Sequence, residues 1–160
     1  RDSTASRGLG DVYKRQVSHR KDSKDSMFAS RKGEIKERAE NLLEFVGLYS
    51  KRNLISGDLS FGQQKLLEFA MALMNDPKVL LLDEPTAGIN PTLINGLIDR
   101  LRKANEELGI TLCVIEHNMR VIMNLASHIY CLANGKVLAN GSPSELQKDQ
   151  RVIDAYLGGH

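Results

Sequence analysis

Residues 78–90 read KVLLLDEPTAGIN, and this segment is the most informative one about the fold. Four apolar residues, 79–82, predict a buried strand, and two adjacent carboxylates, Asp83 and Glu84, follow it directly. Burial penalises charged carboxylates, so a positive partner is needed here, and a magnesium ion carrying nucleotide phosphates is the natural candidate. Alone, the pattern also fits an ordinary strand that ends in a solvated turn. The neighbouring segments decide between the two interpretations.

Two helices are predicted upstream of this strand. Apolar residues at helical spacing from residue 34 onward indicate the first helix, which ends near Gly47. Ser60 and Gln63 form an S-x-x-Q capping box that opens the second helix. We therefore expect residues 17–76 to form a helical subdomain that ends in this second helix.

The downstream pattern alternates between strands and helices. Asn90-Pro91 opens a long helix, and ITLCVIE at residues 110–116 is apolar on both faces, as expected of a central parallel strand. Asn134-Gly135 predicts a β-hairpin, and a capping box at Ser142 opens a C-terminal helical segment. This order indicates an α/β domain whose core occupies residues 77–160. The inward residues of the long helix are predicted to be Leu93, Ile94, Leu97, Ile98 and Leu101.

The composition limits the classes of function. The chain has 160 residues and a net charge of +2, and its apolar runs are too short to span a membrane. Nine of the 22 Lys and Arg residues lie in the first 32 positions. This basic arm is rich in Ser and Asp and lacks amphipathic spacing, so no nucleic-acid partner is expected. Cys113 and Cys131 lie in apolar runs without CxxC spacing, so both are predicted to be small core residues.

The N-terminal residues have the pattern of foreign sequence. SRGLGDVYKRQ at residues 6–16 can be back-translated, codon by codon, into the transposase adapter used to prepare DNA sequencing libraries. We therefore expect residues 1–16 to be a sequencing-adapter or vector remnant, with native sequence starting near Val17 and further sequence lost upstream.

Two further segments supply candidate site residues. LSFGQQ at residues 59–64 opens a helix with a capping serine and a glycine, so free N–H groups and the positive end of the helix dipole could face an anion. His117 directly follows the second strand, where its side chain could contact a γ-phosphate at the same strand edge. Each feature alone also fits a structural role, as an ordinary capped helix or a structural histidine.

Together, these motifs resemble those of a known family. The signature, Walker B, D-loop and H-loop motifs of ABC-transporter ATPase subunits are matched, in that order, by LSFGQQ, LLLDEP, AGIN and VIEHNM. The resemblance covers nearly all of residues 34–160. It implies a P-loop NTPase-like ABC ATPase domain, here as a helical subdomain and the C-terminal half of the core sheet, with ATP and Mg²⁺ as cofactors. Residues 140–158 further resemble the C-terminus of ATP-binding subunits of branched-chain amino acid importers.

The resemblance implies a role for each matching residue. Asp83 would ligate Mg²⁺ through water, Glu84 would be the general base, and His117 would contact the γ-phosphate. In this family the signature and the D-loop act in trans, on ATP held by the phosphate loop of a second subunit. Phe61 departs from a common signature glycine, and Asn90 departs from the common D-loop aspartate. The trans-acting residues would be Leu59, Ser60, Phe61, Gly62, Gln63 and Asn90.

Two motifs of the family are absent from this sequence. Gly57 and Gly62 have the glycine spacing of a GxxxxGK[ST] phosphate loop, but Gln63-Gln64 follow where Lys and Ser or Thr are needed. The Q-loop is also missing. We therefore expect an N-terminally truncated chain that by itself neither binds ATP tightly nor hydrolyses it.

The resemblance also implies partners and a location. A branched-chain amino acid importer would place this subunit at the cytoplasmic face of a bacterial or archaeal membrane. Its partners would be a second ABC ATPase subunit, transmembrane permease subunits and a periplasmic or extracellular solute-binding protein. Three alternatives stay open: a urea or amide importer, the lipopolysaccharide-export ATPase, and a non-catalytic partner that contributes only its signature surface.

Overall fold

The computed structural model describes the backbone of residues 25–156 and the side chains of residues 31–156. The described residues divide into two units. The first contains residues 25–81 and 86–113, and the second contains residues 82–85 and 114–156. The predicted adapter remnant lies outside the described residues. The predicted domain boundary at residue 77 falls within the first unit and stays a prediction.

Helix α1 spans Asp25–Phe45 and ends in a glycine cap. The backbone N–H of Leu48 donates to the Leu43 carbonyl at 2.7 Å, which is a Schellman-type bond. Gly47 supports this turn with a φ of 75°, a conformation that glycine adopts without strain. The helix begins upstream of its predicted start, because residues 25–33 have no helical apolar period that the sequence could reveal.

Helix α2 spans Phe61–Leu73 and has the capping box that the sequence predicts. Two 3-10 turns, Tyr49–Lys51 and Ser56–Asp58, connect it to α1. The rings of Phe45 and Phe69 lie 6.5 Å apart, so the two helices share one apolar interface. The buried side chains of α2 are Leu67, Phe69, Ala70 and Leu73.

Helix α3 spans Pro91–Glu106, and its buried stripe largely follows the prediction. Leu97, Ile98 and Leu101 are buried, and Leu101 is fully buried at 0% exposure. The prediction that Leu93 points inward is wrong, since this side chain is 43% exposed. Leu93 lies in the first turn of α3 over Gly62, which has no side chain to cover it.

Strands β1 (Val79–Asp83) and β2 (Thr111–Ile115) form a two-stranded sheet. Their pairing is parallel, because the hydrogen bonds advance in the same direction along both strands. The two flanking bonds run from the Thr111 N–H to the Lys78 carbonyl and from the Glu84 N–H to the Ile115 carbonyl, each at 2.9 Å. Residues that follow the two strands therefore meet at one edge of the sheet.

One face of this sheet is exposed among the described residues. Val79, Leu81 and Ile115 are 56%, 75% and 64% exposed, although both strands have apolar runs that are typical of strands buried on both faces. The prediction that Cys113 is a core residue is wrong for the same reason, because this thiol is exposed on β2. No covering segment for this face occurs in the described part of the chain.

The second unit is built on a hairpin. Its elements are helix α4 (Met119–Leu125), strand β3 (Ile129–Ala133), strand β4 (Lys136–Gly141), helix α5 (Pro143–Leu146) and helix α6 (Gln150–Tyr156). Strands β3 and β4 pair antiparallel, with a register shift between Cys131 and Leu132. The buried core of this unit contains Ile122, Ile129, Cys131, Ala139, Leu146 and Val152.

The predicted hairpin turn and core cysteine are both found in this unit. Asn134 and Gly135 have φ of 50° and 72°, and two successive positive φ values are what a type I′ turn requires. Cys131 is buried, and this burial raises the pKa of its thiol. Within residues 25–156, no helix has both the length and the apolar character needed to traverse a bilayer.

Candidate functional site

Asp83 and Glu84 lie at the sheet edge where β1 ends. Glu84 has a φ of 45°, in the left-handed region that L residues rarely adopt. Its N–H donates to the Ile115 carbonyl at 2.9 Å, so the pairing of β1 with β2 holds this strained residue in place. Both carboxylates are exposed, so the expectation that burial creates a need for a positive partner is not met among the described residues.

His117 follows β2 and reaches the same carboxylate. Its Nδ1 lies 3.1 Å from Oε1 of Glu84, and the two side chains are 73% and 50% exposed. A carboxylate only accepts hydrogen bonds, so Nδ1 is the donor and Nε2 is left for a second partner. Asn118 fixes the adjacent backbone, because its side chain accepts from the Val121 N–H at 3.4 Å and caps α4. The structure therefore brings Glu84 and His117 together.

Asp83 can be tested as a magnesium ligand from its donor chemistry. Mg²⁺ binds oxygen ligands and is usually held by one or two carboxylates together with waters and substrate phosphates. No group of three His, Cys, Asp or Glu side chains suited to a metal occurs among the described residues. The exposed carboxylate of Asp83 thus fits a nucleotide-borne magnesium ion, whereas a metal centre built from protein ligands alone is not found there.

The signature segment begins α2 with two of its backbone N–H groups already paired. The Ser60 N–H donates to Oε1 of Gln63 at 3.1 Å, and the Gln63 N–H donates to Oγ of Ser60 at 3.4 Å. The first N–H groups of a helix have no intrahelical partner. At the positive end of the helix dipole, the exposed residue Phe61 could offer its N–H to an anion, whereas Gly62 is buried against Leu93 and Ile89. The capping box holds this helix end in place.

The amide side chain of Gln64 bonds to the backbone of the segment before α2. Nε2 of Gln64 donates to the carbonyls of Ser56 and Leu59, each at 3.2 Å. Leu59 is 7% exposed and anchors the segment in the core of the first unit. Phe61 is the first residue of the helix, and it is not one of the described residues that have a positive φ. The departure from glycine at this position therefore causes no backbone strain.

Asn90 is the N-cap of α3. Its Oδ1 accepts from the Thr92 N–H at 3.0 Å and from the Thr92 hydroxyl at 2.8 Å. Asn and Asp cap helices about equally well, so this departure from the D-loop aspartate keeps the structural role of the residue. The side chain is exposed.

Sequence reasoning missed one contact in this region. The Phe61 ring lies against Gly88, a residue with φ of 70°. The sequence shows Gly88 only as a glycine in a loop and Phe61 only as an apolar residue at the start of a helix. No pattern in a single sequence connects the two. The contact joins the signature segment to the AGIN segment within the first unit.

Two family models match the chain. The model described as "ABC transporter" matches residues 4–87, which is more than half of the 160 residues. The model described as "Branched-chain amino acid ATP-binding cassette transporter" matches residues 136–160.

Individual relatives and solved structures agree with these matches. The probable branched-chain amino acid transport ATP-binding protein LivG of Archaeoglobus fulgidus is 38% identical over 125 residues, covering 78% of this chain and 48% of LivG. CbiO1 from Clostridium perfringens, part of the ABC transporter complex CbiONQ, has a TM-score of 0.78 at 27% identity, over 96% of this chain and 59% of CbiO1.

A second solved structure was captured with products. It is a dimeric, post-hydrolysis ATP-binding cassette bound to ADP and phosphate, with a TM-score of 0.68 at 26% identity, over 86% of this chain and 57% of that chain. The chain spans about half the length of the curated relatives it matches. The predicted P-loop NTPase-like ABC ATPase fold is confirmed by these likenesses. The chain belongs to the ABC transporter family.

Proposed function

We propose that this chain is part of an ATP-hydrolysing subunit of an ABC importer. The observation that carries the proposal is the Glu84–His117 pair, a carboxylate and an imidazole with 3.1 Å between Oε1 and Nδ1 at the carboxyl edge of parallel strands. Ligands of α/β folds bind at this edge. The pair thus supplies a base and a phosphate-contacting group at one place.

The proposed chemistry divides among three side chains. Glu84 accepts a proton from the water that attacks the γ-phosphate, which is general base catalysis. His117 donates its Nδ1 proton to orient that carboxylate, and Nε2 can donate to a γ-phosphate oxygen when the ring is doubly protonated. Asp83 would hold Mg²⁺ through water, and a bound magnesium ion would neutralise charge that develops on the phosphate oxygens.

The signature segment is proposed to act on the nucleotide of a second ABC ATPase subunit. The N–H of the exposed residue Phe61 suits a phosphate oxygen, with the buried Gly62 next to it. Ser60 and Gln63 hold the helix end rigid through the capping box. Asn90 is proposed to lie at the same subunit interface. The dimeric cassette bound to ADP and phosphate supports this arrangement, because its two nucleotide-binding chains are paired.

Branched-chain amino acids are the proposed solutes. Support comes from the match at residues 136–160 and from LivG, whose name describes a branched-chain amino acid transport protein. The partners would be permease subunits and a solute-binding protein, at the cytoplasmic face of a bacterial or archaeal membrane. Because the sequence contains no GxxxxGK[ST] loop, we expect the isolated chain to be inactive, and stoichiometric ATP binding would contradict this.

The first test reads the genomic DNA upstream of the Val17 codon. A frame that continues into GxxxxGK[ST] and a Q-loop glutamine, beside permease and solute-binding genes, would support the importer. A native start codon at the observed N-terminus would favour the non-catalytic partner instead.

The second test measures ATP turnover and uptake of leucine or urea in proteoliposomes, by an importer assembled with the full-length subunit recovered from that locus. Glu84→Gln is expected to lower turnover at least about a hundredfold while nucleotide still binds. Glu106→Gln, which removes an exposed carboxylate of α3, is the matched control and should leave turnover unchanged. Full turnover in Glu84→Gln would contradict the catalytic role, and uptake of urea in place of leucine would contradict the proposed solute.

A further inference from the structure

Phe61 and Gly88 form a close contact within the first unit. A β-carbon built on Gly88 would lie 2.9 Å from Cε1, 3.4 Å from Cδ1 and 3.6 Å from Cζ of the Phe61 ring. Carbon atoms that do not share a bond prefer separations of about 3.5–4.0 Å, so a side chain at position 88 would displace the ring. The φ of 70° at Gly88 adds a second reason for glycine.

A second contact joins the same two segments one residue further along. A β-carbon on Gly62 would lie 2.9 Å from Cδ1 of Leu93 and 3.5 Å from Cγ2 of Ile89. Ile89 is 8% exposed, and its N–H donates to the Thr86 carbonyl at 3.2 Å, which closes the turn. The start of α2 and residues 86–90 therefore interlock, with one glycine on each side.

The contact of Phe61 is not explained by core packing. The side chain is 52% exposed, and Nζ of Lys65 lies 5.6 Å from the ring centroid. An apolar ring that stays half exposed contributes less to burial than a core residue such as Leu73, which is 2% exposed. The ring instead contacts Gly88.

We propose that Phe61 is a positioning residue that holds residues 86–90 against the first turn of α2, with Gly88 as its obligatory partner. This rests on the proposed function in one respect: both segments would face the nucleotide of the partner subunit. The ring then sets the spacing between the signature N–H groups and Asn90.

The structural test follows the Ile89 amide by hydrogen exchange, together with urea unfolding, in this chain. Phe61→Ala is expected to raise the exchange rate of that amide about tenfold through local opening, and Phe61→Tyr, which keeps the ring, should change it less than about twofold. Gly109→Ala is the matched control for Gly88→Ala. Gly109 has a similar φ of 66° but nothing within 4 Å of its built β-carbon.

The comparison of backgrounds decides the outcome. Gly88→Ala should lower the urea midpoint more than Gly109→Ala does, and this excess should disappear when Phe61→Ala is also present. If Gly88→Ala and Gly109→Ala lower the urea midpoint equally, the proposal is overturned. It is also overturned if Gly88→Ala has the same extra effect on the midpoint whether residue 61 is Phe or Ala. An unchanged exchange rate in Phe61→Ala would overturn it as well.

The functional readout separates this inference from the proposed function. In the assembled importer, Gly88→Ala should lower ATP turnover, and Phe61→Ala in the same chain should restore part of it. Failure of that rescue would overturn positioning at the nucleotide. If the unsubstituted assembly hydrolyses no ATP, the proposed function fails, while the exchange and unfolding results still decide whether Phe61 positions the loop.

Discussion

The backbone of Glu84 leads to a prediction about stability at the site. This residue has a φ of 45°, and an L residue in the left-handed region is strained by about 1–2 kcal/mol. Glycine avoids that strain but loses about 0.4–1 kcal/mol through the larger entropy of its unfolded chain. Glu84→Gly should therefore be more stable than Glu84→Ala by roughly 1 kcal/mol.

Comparing these two variants isolates the backbone. Both remove the contact with His117, which joins two largely exposed side chains, so its loss cancels in the difference. Urea unfolding followed by far-ultraviolet circular dichroism measures the effect. With a slope of about 1–3 kcal/mol per molar urea, the midpoint of Glu84→Gly should lie about 0.3–1 M above that of Glu84→Ala.

A neighbouring residue provides the control. Asp83 is the last residue of β1 and is not among the described residues with positive φ. In an extended strand, glycine is less stable than alanine by about 0.5–1 kcal/mol, so Asp83→Gly should unfold at lower urea than Asp83→Ala. The opposite signs at two adjacent positions are the expected result. If Glu84 follows the same order as Asp83, the argument from backbone strain is refuted.

Three further predictions concern packing, capping and pH. Leu101→Ala should lower the free energy of unfolding by about 3 kcal/mol in urea unfolding, whereas Leu81→Ala, at a side chain that is 75% exposed, should change it by less than about 0.5 kcal/mol. Ser60→Ala should cost about 1 kcal/mol in the same assay, because the α2 capping box loses its hydroxyl acceptor. The Ser142 hydroxyl and N–H donate to the Glu145 carboxylate at 2.7 and 2.8 Å and hold its pKa below the usual value. The resulting stability is present above the unfolded pKa and is lost as pH falls through the lowered one, and Ser142→Ala should move the pKa upward in a carboxyl NMR titration.

Local structure could be predicted because its causes lie within a few residues. The Ser60–Gln63 capping box, the Asn134-Gly135 turn and the Pro91 helix start each depend on backbone chemistry that the sequence states directly. Apolar periodicity found the buried stripe of α3 in the same way, apart from Leu93, which is exposed, and Ile94, which is half-buried. It could not find the first turns of α1, since those residues have no apolar period.

The order of the motifs also determined the family. Strand, acidic pair, helix and strand in this sequence define an α/β sheet with candidate residues at its carboxyl edge, and His117 was placed there by the end of β2. Topological rules of this kind predict which strand ends share an edge. They do not give distances.

How these residues meet depends on the tertiary structure. Glu84 and His117 are 33 positions apart, and their 3.1 Å contact depends on the register between β1 and β2. The left-handed φ of Glu84, the exposed face of the sheet and the fit of Phe61 to Gly88 likewise depend on residues that are distant in sequence. A single sequence specifies local propensity and apolar period, whereas steric fit between distant segments exists only once the chain has packed.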